Sequence, residues 1–336
     1  MKEELARLFR CPKSGERLDL RVDRTQDGDI LEGLLMSPRG DSYPISDGVP
    51  DYTYPPVLGA SDREARAYYN ASAETYDEYL PLTFSTFGED ETRIRREMID
   101  ALDAGDGDMV LELGAGTGRD SELIVERVGA SGRLLLQDLS PEMLAKARSK
   151  LAGVKPEPAF FLSNASYLPL PDSCVDATYH FGGLNTFAEI GRAIREATRV
   201  TKPGGKVVLG DESVPPWLRD TEFGRVLMNS NPNYRFELPL EHLPIEARKT
   251  RIRWIIGEVF YVIDFAVGEG TPVADFDFEI PGARGGTHRT RYYGQLEGVT
   301  PRAKEIATEA ARRSGKSMHR WLSDLIESAA DEGMSK

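Results

Sequence analysis

The chain has 336 residues, of which 40% are hydrophobic and 29% charged. That is globular composition with room for about two or three domains, and it excludes general disorder. Forty-two Lys and Arg stand against 55 Asp and Glu, a formal net charge of −13, so the cationic surplus that broad polyanion binding requires is missing. No stretch of about 18 uninterrupted apolar residues occurs, and the charged start MKEELARLFRCPKSGERL has no apolar run; neither a membrane span nor a signal peptide is expected. The two cysteines, Cys11 and Cys174, make neither a disulfide framework nor a zinc site alone, and they fit a reducing cytoplasm.

Residues 1–55 are turn-rich. RLDLRVD and DILEGLLMS predict a hairpin closed by QDGD, and SYPISDGVPDY predicts an extended segment punctuated by Pro44, Asp47–Gly48 and Pro50. Residues 56–62 read as a linker and 63–108 as mostly helical, with Ile94, Met98, Ile99 and Ala101–Leu102 on one face and Gly105 as a stop. From 109 to 211 short apolar runs alternate with amphipathic segments: MVLELGAG, TGRDSELIVERVG, GRLLLQDLS, PEMLAKARSKLAG, PAFFLSNAS, CVDATYHFG, AEIGRAIREATRVTKPGG, KVVLGDE. This alternation predicts βαβ units and an α/β, Rossmann-like, doubly wound and mostly parallel sheet. Beyond it come a helix over WLRDTEFGRVLMNS, a long aromatic stretch TRIRWIIGEVFYVIDFAVG that Gly257–Glu258 can turn into a hairpin, short strands DFDFEIP and TRYYGQLEG, and two terminal helices. The expected organisation is a small β-rich N-terminal domain (1–55), a nucleoside-binding domain (63–225), a β-rich substrate or cap region (226–291) and an α+β C-terminal extension ending in a strand-helix-helix module (292–336).

The chemistry concentrates in Glu112-Leu113-Gly114-Ala115-Gly116-Thr117-Gly118, which follows a strand and opens a helix. Glycines there let a ligand approach the backbone, and the helix start offers free N–H groups. Gly-x-Gly-x-Gly differs from the dinucleotide Gly-x-Gly-x-x-Gly, and no Lys-Ser/Thr follows for a nucleoside triphosphate. About twenty residues on, Asp138 ends a strand where a carboxylate can accept both hydroxyls of a ribose. The alternative, a helix cap, falls better to Ser140 with Pro141 behind it. Asn164-Ala165 ends the third strand, where an amide can meet the edge of a base.

As a set, these motifs over residues 65–215 resemble class I S-adenosylmethionine-dependent methyltransferases, nearest to the small-molecule type of menaquinone and ubiquinone biosynthesis. ELGAGTG resembles their glycine motif, QDLS their ribose-binding acid, and REATRVTKPGGKVVLGDE their helix, turn and fifth strand. The position facing adenine is commonly Asp in that family and is Asn164 here. The resemblance implies S-adenosylmethionine as cofactor. Glu112 and the backbone at Gly114, Ala115, Gly116 and Gly118 would hold its methionine end, Asp138 and Leu139 its ribose and adenine, Asn164 and Ala165 its base, and Tyr76 would close over it. The implied activity is in-line methyl transfer to a small-molecule acceptor at O, N or C.

Such displacement needs alignment more than a covalent intermediate, and a base only where the acceptor loses a proton. His180, Asp211 and Glu212 stand at strand ends, where open α/β sheets bind ligands; His180 and Glu212 are the candidate catalytic residues. Tyr68, Tyr69 and Tyr76 either close over the cofactor or form an apolar packing face.

The N-terminal CPKSGERL…SYPISDGVP resembles small zinc-ribbon-like domains, but Ser14 and Met36 or Ser37 stand where paired cysteines would be. Zinc takes about four N or S ligands, so no metal is expected. Residues 292–330 resemble a ribbon-helix-helix module, which would pair two chains into a homodimer. Its strand lacks base-reading cations, which argues against nucleic acid as a partner. Trp254, Phe260, Tyr261, Phe276, Phe278, Tyr292 and Tyr293 either wall a substrate pocket or form core, and Arg284 to Arg289 reads as a basic loop. Two further readings stand beside the enzyme: a non-catalytic cofactor-binding or regulatory protein, and an RNA or protein methyltransferase.

Overall fold

The computed structural model describes residues 1–282, 285–294 and 299–334. They fall into two compact units, Met1–Thr271 and Pro272–Lys336.

The first unit opens with a short helix α1 (Glu3–Ala6) and four antiparallel strands, β1 (Asp19–Gln26), β2 (Asp29–Met36), β3 (Ser42–Ser46) and β4 (Val49–Pro50), in that spatial order. Asp27 and Gly28 both have positive φ, 52° and 81°, which closes the β1–β2 hairpin with a two-residue turn whose twist matches the strands. Aromatic packing joins this N-terminal segment to the larger sheet: Phe9 lies 4.8 Å from Tyr52 and 5.1 Å from Phe161, ring centre to ring centre. Cys11 is buried with its Sγ 3.2 Å from the Tyr43 hydroxyl. Among the described residues no group of three or more His, Cys, Asp or Glu is arranged to hold a metal.

Three helices follow, α2 (Ala60–Ser72), α3 (Tyr76–Thr86) and α4 (Glu91–Asp100). Then come β5 (Met109–Leu113), α5 (Arg119–Val128), β6 (Arg133–Asp138), α6 (Pro141–Lys150), β7 (Ala159–Leu162), β8 (Val175–Phe181), α7 (Ile190–Val200), β9 (Thr201–Glu212), α8 (Glu222–Ser230), β10 (Ala247–Ile255) and β11 (Phe260–Val267). The last seven strands form one sheet in the order β10-β11-β9-β8-β5-β6-β7. β7, β6, β5, β8 and β9 run parallel; β11 pairs antiparallel with β9, and β10 with β11. β5 sits between β6 and β8, so the chain order reverses there and a crevice opens at the carboxyl ends of those strands. The β7 edge is covered by the N-terminal segment: Tyr52 donates its N–H to the Leu162 carbonyl at 2.8 Å, and Asp51 bridges Leu162 in parallel.

The aromatic hairpin forms with its turn at 256–259, within which Ile256, Gly257 and Glu258 all take positive φ. It is bonded along β9, so it continues the central sheet rather than standing as part of a separate cap over 226–291. The reason is compositional: β11 is buried along nearly its whole length, and such a strand needs cover on both faces.

In the second unit the expected strands are absent among the described residues. Residues 275–281 carry no strand, and residues of TRYYGQLEG lie in helix α9 (His288–Tyr293). A capping box between Thr287 and Thr290 nucleates α9, which overrides the β preference of its tyrosines. Residues 295–298 and Arg284 lie outside the described residues. The expected terminal helices are α10 (Pro301–Arg313), capped by the Thr300 hydroxyl, and α11 (Met318–Met334). A ribbon-helix-helix module needs a strand ahead of its helices; the described residues offer α9 instead. Arg289 of the expected basic loop is paired with Asp277 at 2.9 Å.

Candidate cofactor and acceptor site

The turn after β5 is fastened to the tip of β6. Gly114 donates its N–H to the Gln137 side-chain oxygen at 3.1 Å, Ala115 to the Gln137 carbonyl at 2.9 Å, and Gly116 to Asp138 Oδ2 at 2.8 Å. Gly114 and Gly116 take φ of 57° and 55°, a region that side chains avoid. A Cβ at Gly116 would meet open space, so its missing side chain leaves the crevice floor clear.

Asp138 is buried, and its Oδ1 accepts from the Ser140 N–H at 2.8 Å. Burial raises its pKa, while N–H bonds from Ser140, Gly116 and Leu139 pull it back. The two carboxylate oxygens offer four lone pairs, so these three N–H groups leave one for a ligand hydroxyl. Past Asp138 the crevice is lined by Leu139, Asn164, Ala165 and Phe187. Asn164 donates to Asp62 at 2.9 Å and accepts from the Ser166 N–H at 2.9 Å, which leaves one amide hydrogen for a base edge.

At the other end lie Glu112, Tyr76 and Arg95. Glu112 is buried and accepts from the Ser121 hydroxyl at 2.6 Å. Burial and the nearby Asp120 charge hold its carboxyl well above the usual range. Arg95 is buried on α4; it bonds Asp120 at 2.6 Å and Glu91 at 2.8 Å, and the Tyr179 hydroxyl also reaches Asp120 at 3.1 Å.

Two expected residues lie elsewhere. Gly118 is not in the crevice wall; at φ 80° it starts α5, and a Cβ there would press Ala147 and Leu151 of α6 at 3.2 Å. It is a packing glycine. His180 is 1% exposed and lies behind the glycine turn, 5.1 Å from the Phe187 ring, with its Cε1 3.1 Å from a Cβ built at Gly114. Its Nδ1 meets the Leu113 carbonyl at 2.8 Å, so Nδ1 carries the proton and donates. Nε2 is buried without a partner. Burial brings the imidazole pKa down to about 4. His180 supports the turn and is not placed to act as a base in the cleft.

Glu212, at the end of β9, does line the cleft. Its neighbour Asp211 is fully buried and accepts three backbone N–H groups, from Gly183, Asn185 and Glu212. Burial, then the Asp211 charge, push the Glu212 carboxyl up to about 7.

The sequence reading missed Asp62 and Arg95. Asp62 ties the helical cover to the sheet, accepting from Asn164 and from the Ala188 N–H at 2.9 Å. Arg95 had a signal: it adjoins Ile94 on the apolar stripe of α4, where a cation needs a buried partner.

The crevice fits S-adenosylmethionine in its donor set. It is continuous past Tyr69, Gly114 and Asp138, which border both halves. A glycine cradle, a strand-tip carboxylate and a base-edge amide follow in the order a nucleoside with an amino-acid tail requires.

Comparison with known proteins agrees. Residues 110–205 match the methyltransferase domain family. The ubiquinone/menaquinone biosynthesis C-methyltransferase UbiE of Pasteurella multocida is 31% identical over 156 residues, covering 42% of this chain and 58% of that protein. The demethylmenaquinone methyltransferase of Beutenbergia cavernae is 35% identical over 123 residues, 37% of this chain and 48% of that one. An uncharacterized 37.1 kDa protein in a Streptomyces fradiae transposon is 32% identical over 161 residues, 46% of each chain. The chain thus spans about half the length of the curated relatives it matches. Among solved structures, a SAM-dependent methyltransferase of Aquifex aeolicus aligns with a TM-score of 0.39 at 19% identity, over 55% of this chain and 98% of that one. Residues 110–205 thus match a methyltransferase domain, and S-adenosylmethionine is the cofactor that this similarity and the donor set of the crevice imply.

Proposed function

We propose that the protein transfers a methyl group from S-adenosylmethionine to a small-molecule acceptor seated beside Glu212. One observation carries the reading: the crevice that fits the cofactor opens, past Tyr69, Tyr76 and Glu212, into a second cavity large enough for an acceptor. The bound cofactor supplies an activated methyl on sulfur. The chain's own part is to orient and to exclude water. Asp138 and the glycine turn fix the nucleoside end, Arg95 and Glu112 border the amino-acid end, and Tyr69 and Tyr76 stand between the two cavities. Holding donor and acceptor in line supplies most of the rate that such a displacement needs. Among the described residues Glu212 is the strand-tip acid that lines both cavities, which supports a role in taking a proton from the acceptor.

The relatives named for quinone biosynthesis favour a small molecule over RNA or protein, as does the formal net charge of −13. Among the described residues no helix is long and apolar enough to cross a membrane. Cys11 and Cys174 are unpaired, in keeping with a reducing cytoplasm. A homodimer through α10 and α11 belongs to the same proposal; light scattering with and without residues 292–336 checks it, and a monomer in both removes it.

Calorimetry with S-adenosylmethionine and S-adenosylhomocysteine tests the cofactor, and no heat from either defeats the reading. Labelled methyl transfer into a metabolite extract, followed by mass analysis, separates an enzyme from a cofactor-binding regulator.

A further inference from the structure

The acceptor cavity has a volume of ≈720 Å³, and its wall combines aromatic rings and two acids with neutral hydroxyl and amide groups. Tyr68, Tyr69 and Tyr76 form an edge-on chain with ring centres 5.3 and 6.1 Å apart. Tyr79 and Phe236 complete the aromatic lining. The charged side chains on it are Glu64 and Glu212; among the described lining residues there is no Lys or Arg. Of the cations on the adjoining cofactor crevice, Arg66 lines the half beside Asn164, and the two at the amino-acid end are committed. Arg95 bonds Glu91 and Asp120, and Arg119 bonds Glu91 at 2.6 Å. Of the asparagines, Asn185 uses its amide on the Glu212 carbonyl at 2.8 Å, and Asn231 reaches Glu212 Oε1 at 3.5 Å, leaving the other carboxylate oxygen for a ligand.

A carboxylate or phosphate acceptor entering here would lose water and face two carboxylates, with hydroxyl and amide groups but no cation to offset its charge. A cation would find tyrosine rings and two carboxylates.

We propose that the methyl acceptor is a small amine, taken up as its ammonium in the tyrosine cavity with its nitrogen against Glu212. The inference rests on the methyl-transfer reading above. The ammonium gives one proton to the Glu212 carboxylate, which uncovers the nitrogen lone pair. The N–C bond then forms as the C–S bond breaks, its electron pair leaves with sulfur, and the product is an N-methylammonium.

Binding tests this without turnover. Protein saturated with S-adenosylhomocysteine is titrated at pH 8 with benzylamine, benzyl alcohol and benzoate, which share one ring and differ in charge. Benzylamine binds about tenfold or more tightly than either of the others, as cation–π and carboxylate contacts predict. Glu64→Gln, at an exposed position, lowers that affinity about threefold or more and leaves S-adenosylhomocysteine affinity unchanged. Equal or tighter binding of benzyl alcohol or benzoate, or binding of none of the three, overturns the inference. Failure of S-adenosylhomocysteine itself to bind strikes the methyl-transfer reading instead, so the two failures are told apart.

Discussion

Gly116 donates its backbone N–H to Asp138 Oδ2 at 2.8 Å, joining the turn after β5 to the tip of β6. The same carboxylate that faces the crevice therefore also holds the crevice floor in shape. Asp138→Ala removes the acceptor for a ligand hydroxyl and releases the turn together. S-adenosylhomocysteine affinity should fall by about tenfold or more, or ~1.4 kcal/mol and upward. Asp138→Asn keeps an oxygen acceptor and should fall less. Isothermal titration reads both, and an unchanged affinity in Asp138→Ala removes the ribose assignment.

Gly116 and Gly118 share positive φ but should fail differently. At Gly116 a Cβ meets open space, so Gly116→Ala costs stability only through backbone strain, about 1 kcal/mol, while it obstructs the ligand. At Gly118 a Cβ lies 3.2 Å from both the Ala147 Cβ and Leu151 Cδ1, so Gly118→Ala adds overpacking and should cost about 2–3 kcal/mol in all. Urea denaturation and cofactor titration together separate them: the first variant folds well and binds poorly, and the second loses stability first. The reverse order would contradict the placement of Gly118 outside the crevice.

Much of this architecture was readable because it rests on local chemistry. Ser140 followed by Pro141 announced the start of α6, and the Ser140 hydroxyl does accept from the Met143 N–H at 3.2 Å. The glycine turn and Asp138 were likewise visible as a motif at fixed spacing. His180 was misread for a physical reason. β8 is buried on both faces over most of its length, so the alternation that tells one face of a strand from the other is erased. Its position at a strand end was legible, but the face it turns to the glycine turn was not. TRYYG misled through propensity, because its aromatic residues suit strands while the capping partner of its Thr290, Thr287, lies just outside the pattern. Arg95 and Asp62 find their partners 25 and 102 residues away, and no local pattern encodes such pairings.

Arg95 and Asp120 make a buried pair at 2.6 Å, with the Tyr179 hydroxyl on the other Asp120 oxygen. Arg95→Met should leave the Asp120 carboxylate uncompensated inside the protein and cost about 3–5 kcal/mol. The double variant Arg95→Met with Asp120→Leu removes both charges and should recover most of that loss, although the Tyr179 hydroxyl then lacks its acceptor. A double-mutant cycle by urea denaturation measures the coupling. Additive losses would show that the two side chains do not depend on each other.

Glu212 links pH to both stability and rate. Its carboxyl is pushed up to about 7 by burial and then by Asp211, against an ordinary 4.5. A carboxyl raised in the folded state favours the fold while protonated, and that contribution is lost as pH rises through the folded value. Between about pH 5 and 8 the ionised group therefore weakens the fold. Glu212→Gln keeps the shape without the charge, and should gain about 1–2 kcal/mol at pH 8 and little at pH 5, once water in the adjoining cavity is allowed for. Thermal melts at the two pH values read the difference. The rate runs the other way, because only the ionised form takes a proton: kcat/KM of the unaltered protein should fall tenfold per unit as pH drops below about 7, and Glu212→Gln should be slow throughout. A variant more stable at pH 8 yet fully active would keep the burial argument and remove the proton-accepting role.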